Sequence, residues 1–281
     1  MTTPTLWDAQ LRLPIPPVDA VYNHTVGFWA AVVYLCFGLP VLLYALWHVR
    51  ERKGQIMLLF MVGGCLCALV EPFADVLGAC WHPEVEQPTV FSLLGRGIPP
   101  WVCIGYFVYF GAIAAANYLW FCYGITRKMI WIGFFTPVVV DIVMENLMLS
   151  HGLYYYYGNQ PLDFIGWLPL WWPPINALGE FGGVVTVYLL MPHLKAWKLF
   201  LIPLISPTID LVSYGLLAYP AITVVNNASL SPALTHVAGL WSWLMAVVCV
   251  YLISFVLASD SPFRKDGKLV LPLPAMGSGH A

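Results

Sequence analysis

The chain has 281 residues, of which 60% are apolar and 9% charged, with a formal net charge of −2 and a mean hydropathy of +0.78. Soluble domains average about 25% charged residues, so a water-soluble globular enzyme is excluded. The weakly acidic balance leaves no basic surface for nucleic acid. The fold class that remains is all-α: a polytopic protein whose first partner is the lipid bilayer.

Residues 1–26 have neither the basic start nor the following apolar stretch of a cleavable signal, and are predicted to be an extracytoplasmic segment. Seven apolar runs follow, at 27–48, 56–79, 100–123, 130–150, 166–191, 199–219 and 236–258. Each exceeds the roughly 18 residues a helix needs to cross a bilayer. A seven-helix domain over 27–258 is therefore expected, with 259–281 as a flexible cytoplasmic tail. Arg50, Arg52, Lys53, Arg127, Lys128, Lys195, Lys198, Arg264, Lys265 and Lys268 fall on one side of this arrangement, and Arg12 and Arg96 on the other. The positive-inside rule puts the N-terminus outside and the C-terminus in the cytoplasm. The glycosylation sequons at Asn23 and Asn227 both land on the outer side, which agrees with that orientation.

Six carboxylates, Glu71, Asp75, Asp141, Glu145, Glu180 and Asp210, lie inside these runs, and no Lys or Arg shares the runs with them. An acid at bilayer depth costs a few kcal/mol. Desolvation and mutual repulsion favour its neutral form, so a stored proton is expected. Glu71 and Asp75 are four residues apart, as are Asp141 and Glu145, so each pair occupies one helix face. At 1.5 Å per residue the acids fall within a slab about 15 Å thick, which predicts a central acid-lined chamber. A structural role is the alternative for any single acid, because interhelical hydrogen bonds in membranes are worth about 0.6–2 kcal/mol each.

Aromatic residues make up 15% of the chain. The run Tyr154–Tyr157 and the tryptophans Trp167, Trp171 and Trp172 read as interfacial anchors. The deeper Tyr106, Tyr109, Trp120, Tyr214 and Trp243 are candidates to stabilise a cation. Pro72, Pro173, Pro174 and Pro207 fall beside the acids and predict kinks that open a pocket.

The seven cysteines read as packing residues, with a Cys80–Cys103 approach left open by spacing. Neither a zinc-type Cys/His spacing nor an aspartate-rich magnesium motif occurs, and His82, His151 and His236 sit on separate segments. No cofactor and no metal are expected. Buried proton donors with aromatic walls suit protonation of an alkene or epoxide, followed by ring closure through carbocations.

The chain resembles the small integral-membrane terpene cyclases of fungal meroterpenoid pathways. The likeness lies in Glu71 on span two, within LVEPFAD, and Asp210 on span six, within SPTIDLVSYG. The segment MENLMLSHGLYYYYGNQPL is also similar to membrane carotenoid cyclases and hydratases and adds Glu145. The resemblance implies an isomerase or lyase of terpenoid secondary metabolism acting on a lipophilic prenylated substrate, with a prenyltransferase or epoxidase acting upstream. Glu71 and Asp210 are then the leading catalytic candidates, Asp75 and Glu145 tune them, and Glu180 is a further member without a counterpart in the family. Two other readings use the same features: a proton-coupled transporter with the carboxyls as a relay, and a ligand receptor with its N-terminus outside.

Overall fold

The computed structural model describes residues 6–164, 167–265 and 268–269 and is mostly helical. A short ladder, β1 (Leu6–Trp7) with β2 (Pro14–Ile15), precedes α1 (His24–Trp47). Asn23 caps α1 by accepting from the Val26 N–H, and its side-chain amide donates to the His151 carbonyl. Helix α2 (Arg52–Cys67) stops one turn before Pro72, and the chain resumes as α3 (Glu71–Gly78), bent by 45°. A proline cannot donate to the turn behind it, so the break falls at that point. Ala79, in the left-handed conformation at φ 51°, ends α3 and turns the chain into β3 (Cys80–Trp81).

The hairpin β4 (Phe91–Leu93) and β5 (Arg96–Ile98) leads into a single helical rod, Pro100–Cys122. This rod consists of α4 (Pro100–Tyr106), a π-helical stretch at Phe107–Ile113 and α5 (Ala114–Cys122). Thr126 caps α6 (Arg127–Ser150). Strand β6 (Tyr155–Tyr156) pairs antiparallel with β3, opposing Cys80 to Tyr156 and Trp81 to Tyr155. Pro173 and Pro174 occupy the first turn of α7 (Trp172–Leu190), where their missing N–H groups cost nothing. A 3₁₀ turn, α8 (Ile202–Val212) and a second π stretch, Ser213–Leu217, form the rod Ala196–Leu217. Helices α9 (Tyr219–Val225) and α10 (Pro232–Leu257) follow, and β7 (Arg264–Lys265) pairs with β8 (Lys268–Leu269).

Among the described residues, five helices are long and apolar enough to cross a membrane: α1, the rod Pro100–Cys122, α6, the rod Ala196–Leu217 and α10. The bent α2–α3 pair makes a sixth if it counts as one span. The run expected as span five begins its helix at Trp172, and Pro173, Pro174, Asn176 and Glu180 lower its hydropathy below that of the others. This α7 is the buried centre of the bundle, packed against α5, α6, α8 and α10. Within the expected tail, residues 266–267 and 270–281 lie outside the described residues, as do residues 1–5 of the N-terminal segment.

The connecting segments gather at two ends. At one, Arg52 donates to the Leu194 carbonyl at 2.9 Å, the Arg127 N–H donates to Asp260 at 3.0 Å, and the Ser259 N–H donates to the Ile125 carbonyl. At the other, Asn226 donates to the Leu77 carbonyl at 2.7 Å, and the buried Gln160 donates to Gly78 while accepting from the Trp171 indole. The cysteines are all free, so Cys80 and Cys103 are not joined.

Small residues set the closest helix approach. A Cβ added at Gly64 would stand 2.6 Å from the Gly111 nitrogen, so α2 and the π stretch touch backbone to backbone. Such small-residue seams are how membrane helices gain packing without a hydrophobic driving force between them. Gly64→Val is expected to cost about 1–3 kcal/mol through overpacking and to lower the thermal midpoint measured in detergent. An unchanged midpoint would show that the seam yields.

Candidate active site

Four of the six acids line one cavity of about 100 Å³ at the end of the bundle where β3 and β6 pair: Glu71 and Asp75 from α3, and Asp141 and Glu145 from α6. The Pro72 break turns the α3 pair inward. The four-residue spacing on α6 does the same from the opposite wall.

Hydrogen-bond donors meet these carboxyls from several elements. The Tyr106 hydroxyl donates to Glu71 Oε2 at 2.5 Å, and His82 Nε2 lies 3.0 Å from Glu71 Oε1 and 3.5 Å from Asp75 Oδ1. Glu145 Oε2 accepts from the Tyr154 and Tyr156 hydroxyls at 2.6 and 3.0 Å. The Asn176 amide, one turn into α7, donates to Asp141 at 2.9 Å and to Glu145 at 3.5 Å, while its carbonyl accepts from the Tyr214 hydroxyl at 2.6 Å. Asp141 and Glu145 are also in hydrogen-bond contact with each other. Two carboxyls hydrogen-bond to each other only when one of them is protonated, so the pair is arranged to share a proton.

Aromatic rings complete the wall: Tyr34, Trp101, Tyr109, Phe110 and Trp172 all border the cavity. The reading of Tyr154, Tyr156 and Trp172 as interfacial anchors is corrected by this placement. The β3–β6 ladder pulls the tyrosines inward, and Trp172 stacks on Trp171, which is fully buried. Trp167 remains exposed. Of the deeper rings, Tyr106, Tyr109 and Tyr214 reach the cavity, whereas Trp120 lies elsewhere and the Trp243 indole donates to the Leu170 carbonyl.

Glu180 and Asp210 do not line this cavity. Glu180 accepts from Asn117 at 3.1 and 3.3 Å, deeper along α7. Asp210 is fully buried against Gly179, where a Cβ would stand 2.7 Å from its Oδ1, and neither of its oxygens has a partner among the described residues. It lies behind Tyr106, Tyr214 and Glu71, within electrostatic reach of all three. A single chamber holding all six acids is therefore not what forms. The helical spacing aligns acids along each helix but does not set the rotation of one helix against the next.

His82, Asn176 and the tyrosine pair were not singled out from sequence as site residues. The signal for Asn176 was a polar amide buried beside the proline pair of α7. For His82 it was the eleven-residue separation from Glu71, which the α3–β3 turn closes. The same turn gathers Asp75, Cys80 and His82 so that their ligand atoms lie within 4.8 Å of one another. Oxygen, sulfur and nitrogen donors of this kind suit zinc, and the three lie within eight residues at separations of five and two, outside the usual zinc-type Cys/His patterns. His82 Nε2 is engaged by Glu71 and Asp75, while its buried Nδ1 has no partner among the described residues.

Burial pulls the His82 imidazole down, but Asp75 and Glu71 beside it push it up further, and its pKa is raised above the ordinary value. The stability this contributes is fully present below the unfolded value of about 6.5 and is lost as the pH rises through the raised folded value. The thermal midpoint of the protein should therefore fall toward that of His82→Gln as the pH climbs above neutrality. A gap between the two that ignores pH would remove the ion pair from the account.

No known protein family, curated protein or solved structure matches this chain, so the site is read from its own geometry.

Proposed function

We propose that this protein is a seven-span membrane enzyme, N-terminus outside, that isomerises or cyclises a lipophilic prenylated substrate by protonating an epoxide or olefin with intramembrane carboxyls. The spans are the five long apolar helices, the bent α2–α3 pair and the central α7. The orientation rests on the cation-bearing turns, several of which meet at one end of the bundle.

The observation that carries the chemistry is the pair of carboxyls, Asp141 and Glu145, buried one turn apart on α6 in a cavity walled by rings, where they would share a proton. Among the described residues, no Lys or Arg pairs with the cavity's acids, and His82 is their ion-pair partner. Delivery of the proton to an epoxide oxygen breaks a C–O bond as a neighbouring alkene forms a C–C bond. The negative charge left on the pair is held by Tyr154, Tyr156 and Asn176, whose hydroxyl and amide hydrogens already point at it. The travelling carbocation faces Tyr34, Trp101, Phe110 and Trp172; ring faces stabilise a cation by about 0.5–2 kcal/mol each, more where water is excluded. Glu71, which accepts from Tyr106 and His82, takes the terminal proton and leaves an alkene. A proton passed from Glu71 to the pair resets the site. Asp75 holds His82 in place. Asp210 and Glu180 act at a distance from the reacting atoms.

Asp141→Asn, Glu145→Gln and Glu71→Gln are each expected to lower product formation from an epoxidised farnesyl ether by about 10²–10⁴-fold, with the protein still inserted and folded. Full activity in all three would end the acid-catalysis reading. Dialysis against a chelator should leave the rate unchanged. A rate lost on dialysis and restored by zinc would move the chemistry to Asp75, Cys80 and His82.

A further inference from the structure

The acid cavity alone is smaller than the roughly 300–1,000 Å³ of ordinary ligand pockets. A second cavity of about 370 Å³ adjoins it, with Tyr34 and Tyr109 bordering both. This second space lies between α1 and α6 and is floored by the π stretch and α5. Helix α1 packs chiefly on α2 and the Pro100–Cys122 rod, and α6 on α7 and α10, so the two helices stand apart and leave a groove.

The groove is mostly hydrocarbon, with Asn117 and Thr136 as polar members of its lining. Val33 and Phe37 form one side, Pro137 and Val140 the other, with Ala112 and Ala116 beneath. Residues of α6 thin this wall: Gly133 has no side chain, and Pro137 cannot donate to the Gly133 carbonyl one turn back. Phe37 and Val140 are exposed on the face that lipid would cover. On the partition, the Tyr109 hydroxyl is buried without a partner among the described residues. A buried hydroxyl with no partner is costly and marks a place where a ligand group can complete it.

Resting on the acid-catalysis reading, we infer that this groove binds the hydrocarbon chain of the substrate, an isoprenoid tail that enters sideways from the bilayer between α1 and α6 while its reacting end passes Tyr34 and Tyr109 into the acid cavity. The same helix, α6, then presents Pro137 and Val140 to the tail and Asp141 and Glu145 to the head.

The test is photolabelling of the full-length protein in lipid nanodiscs with a benzophenone-bearing farnesyl ether, followed by peptide mapping. Labelling is expected on α1 and α6 peptides that line the groove, displaced by geranylgeraniol. It should fall about tenfold in Ala116→Phe and in Val140→Phe, the second lying on an exposed wall position that tolerates bulk. Glu145→Gln should label as the unmodified protein does, because tail binding does not need the acid. Labelling confined to other surfaces, labelling indifferent to both groove substitutions, or equal labelling by a benzophenone fatty acid that geranylgeraniol does not displace, would each overturn the proposal. Displaceable groove labelling in a protein that makes no product would leave the groove standing and remove the catalytic reading. Product formation without groove labelling would do the reverse.

Discussion

Placing carboxyl groups among apolar helices without lysine or arginine is the constraint on which the rest of the structure turns. A buried carboxyl must be given hydrogen-bond donors or carry a proton, because the interior supplies no water to compensate it. The chain meets that demand with donors other than lysine or arginine: two phenols on Glu145, a phenol and an imidazole on Glu71, and one amide shared by Asp141 and Glu145. The phenols and the amide hold an acid in place without neutralising it. The acidity therefore stays available, as a salt bridge to arginine would not allow.

The backbone irregularities follow from the same demand. Donors must reach the acids from segments distant in sequence, and straight helices would point them elsewhere. The break before Pro72 turns Glu71 toward Tyr106, and the left-handed Ala79 brings His82 back over α3. The π stretch at Phe107–Ile113 lies where the Gly64–Gly111 seam draws the rod onto α2, and it supplies Tyr109 and Phe110 to the cavity. A π-helical insertion changes the angular position of the residues that follow it, and such insertions are frequent at functional sites. The second, Ser213–Leu217, holds Tyr214 against Asn176.

Asp210 stands apart from this pattern. Among the described residues it is the most deeply buried of the acids and has no donor on either oxygen, yet it lies close behind the two tyrosines that bond Glu71 and Asn176. Its position makes it an influence on the field of the cavity rather than a wall of it. Glu180, bonded to Asn117, belongs to the packing between α5 and α7.

Composition and hydropathy alone determined that this is a helical protein suited to a membrane, because the need to bury backbone polar groups in lipid leaves long apolar helices as the simple solution. The four-residue spacings of Glu71 with Asp75 and of Asp141 with Glu145 were equally legible, since helix periodicity is local. What the chain could not disclose is how each helix is rotated about its axis and which distant segments fold back onto it. Those choices depend on contacts such as Gly64 on Gly111 and the pairing of Cys80 with Tyr156, which join residues 47 and 76 positions apart. Tertiary packing therefore decided that Tyr154, Tyr156, Asn176 and His82 belong to the site and that Asp210 and Glu180 lie outside it, because side-chain direction in a bundle is set by neighbours and not by sequence order.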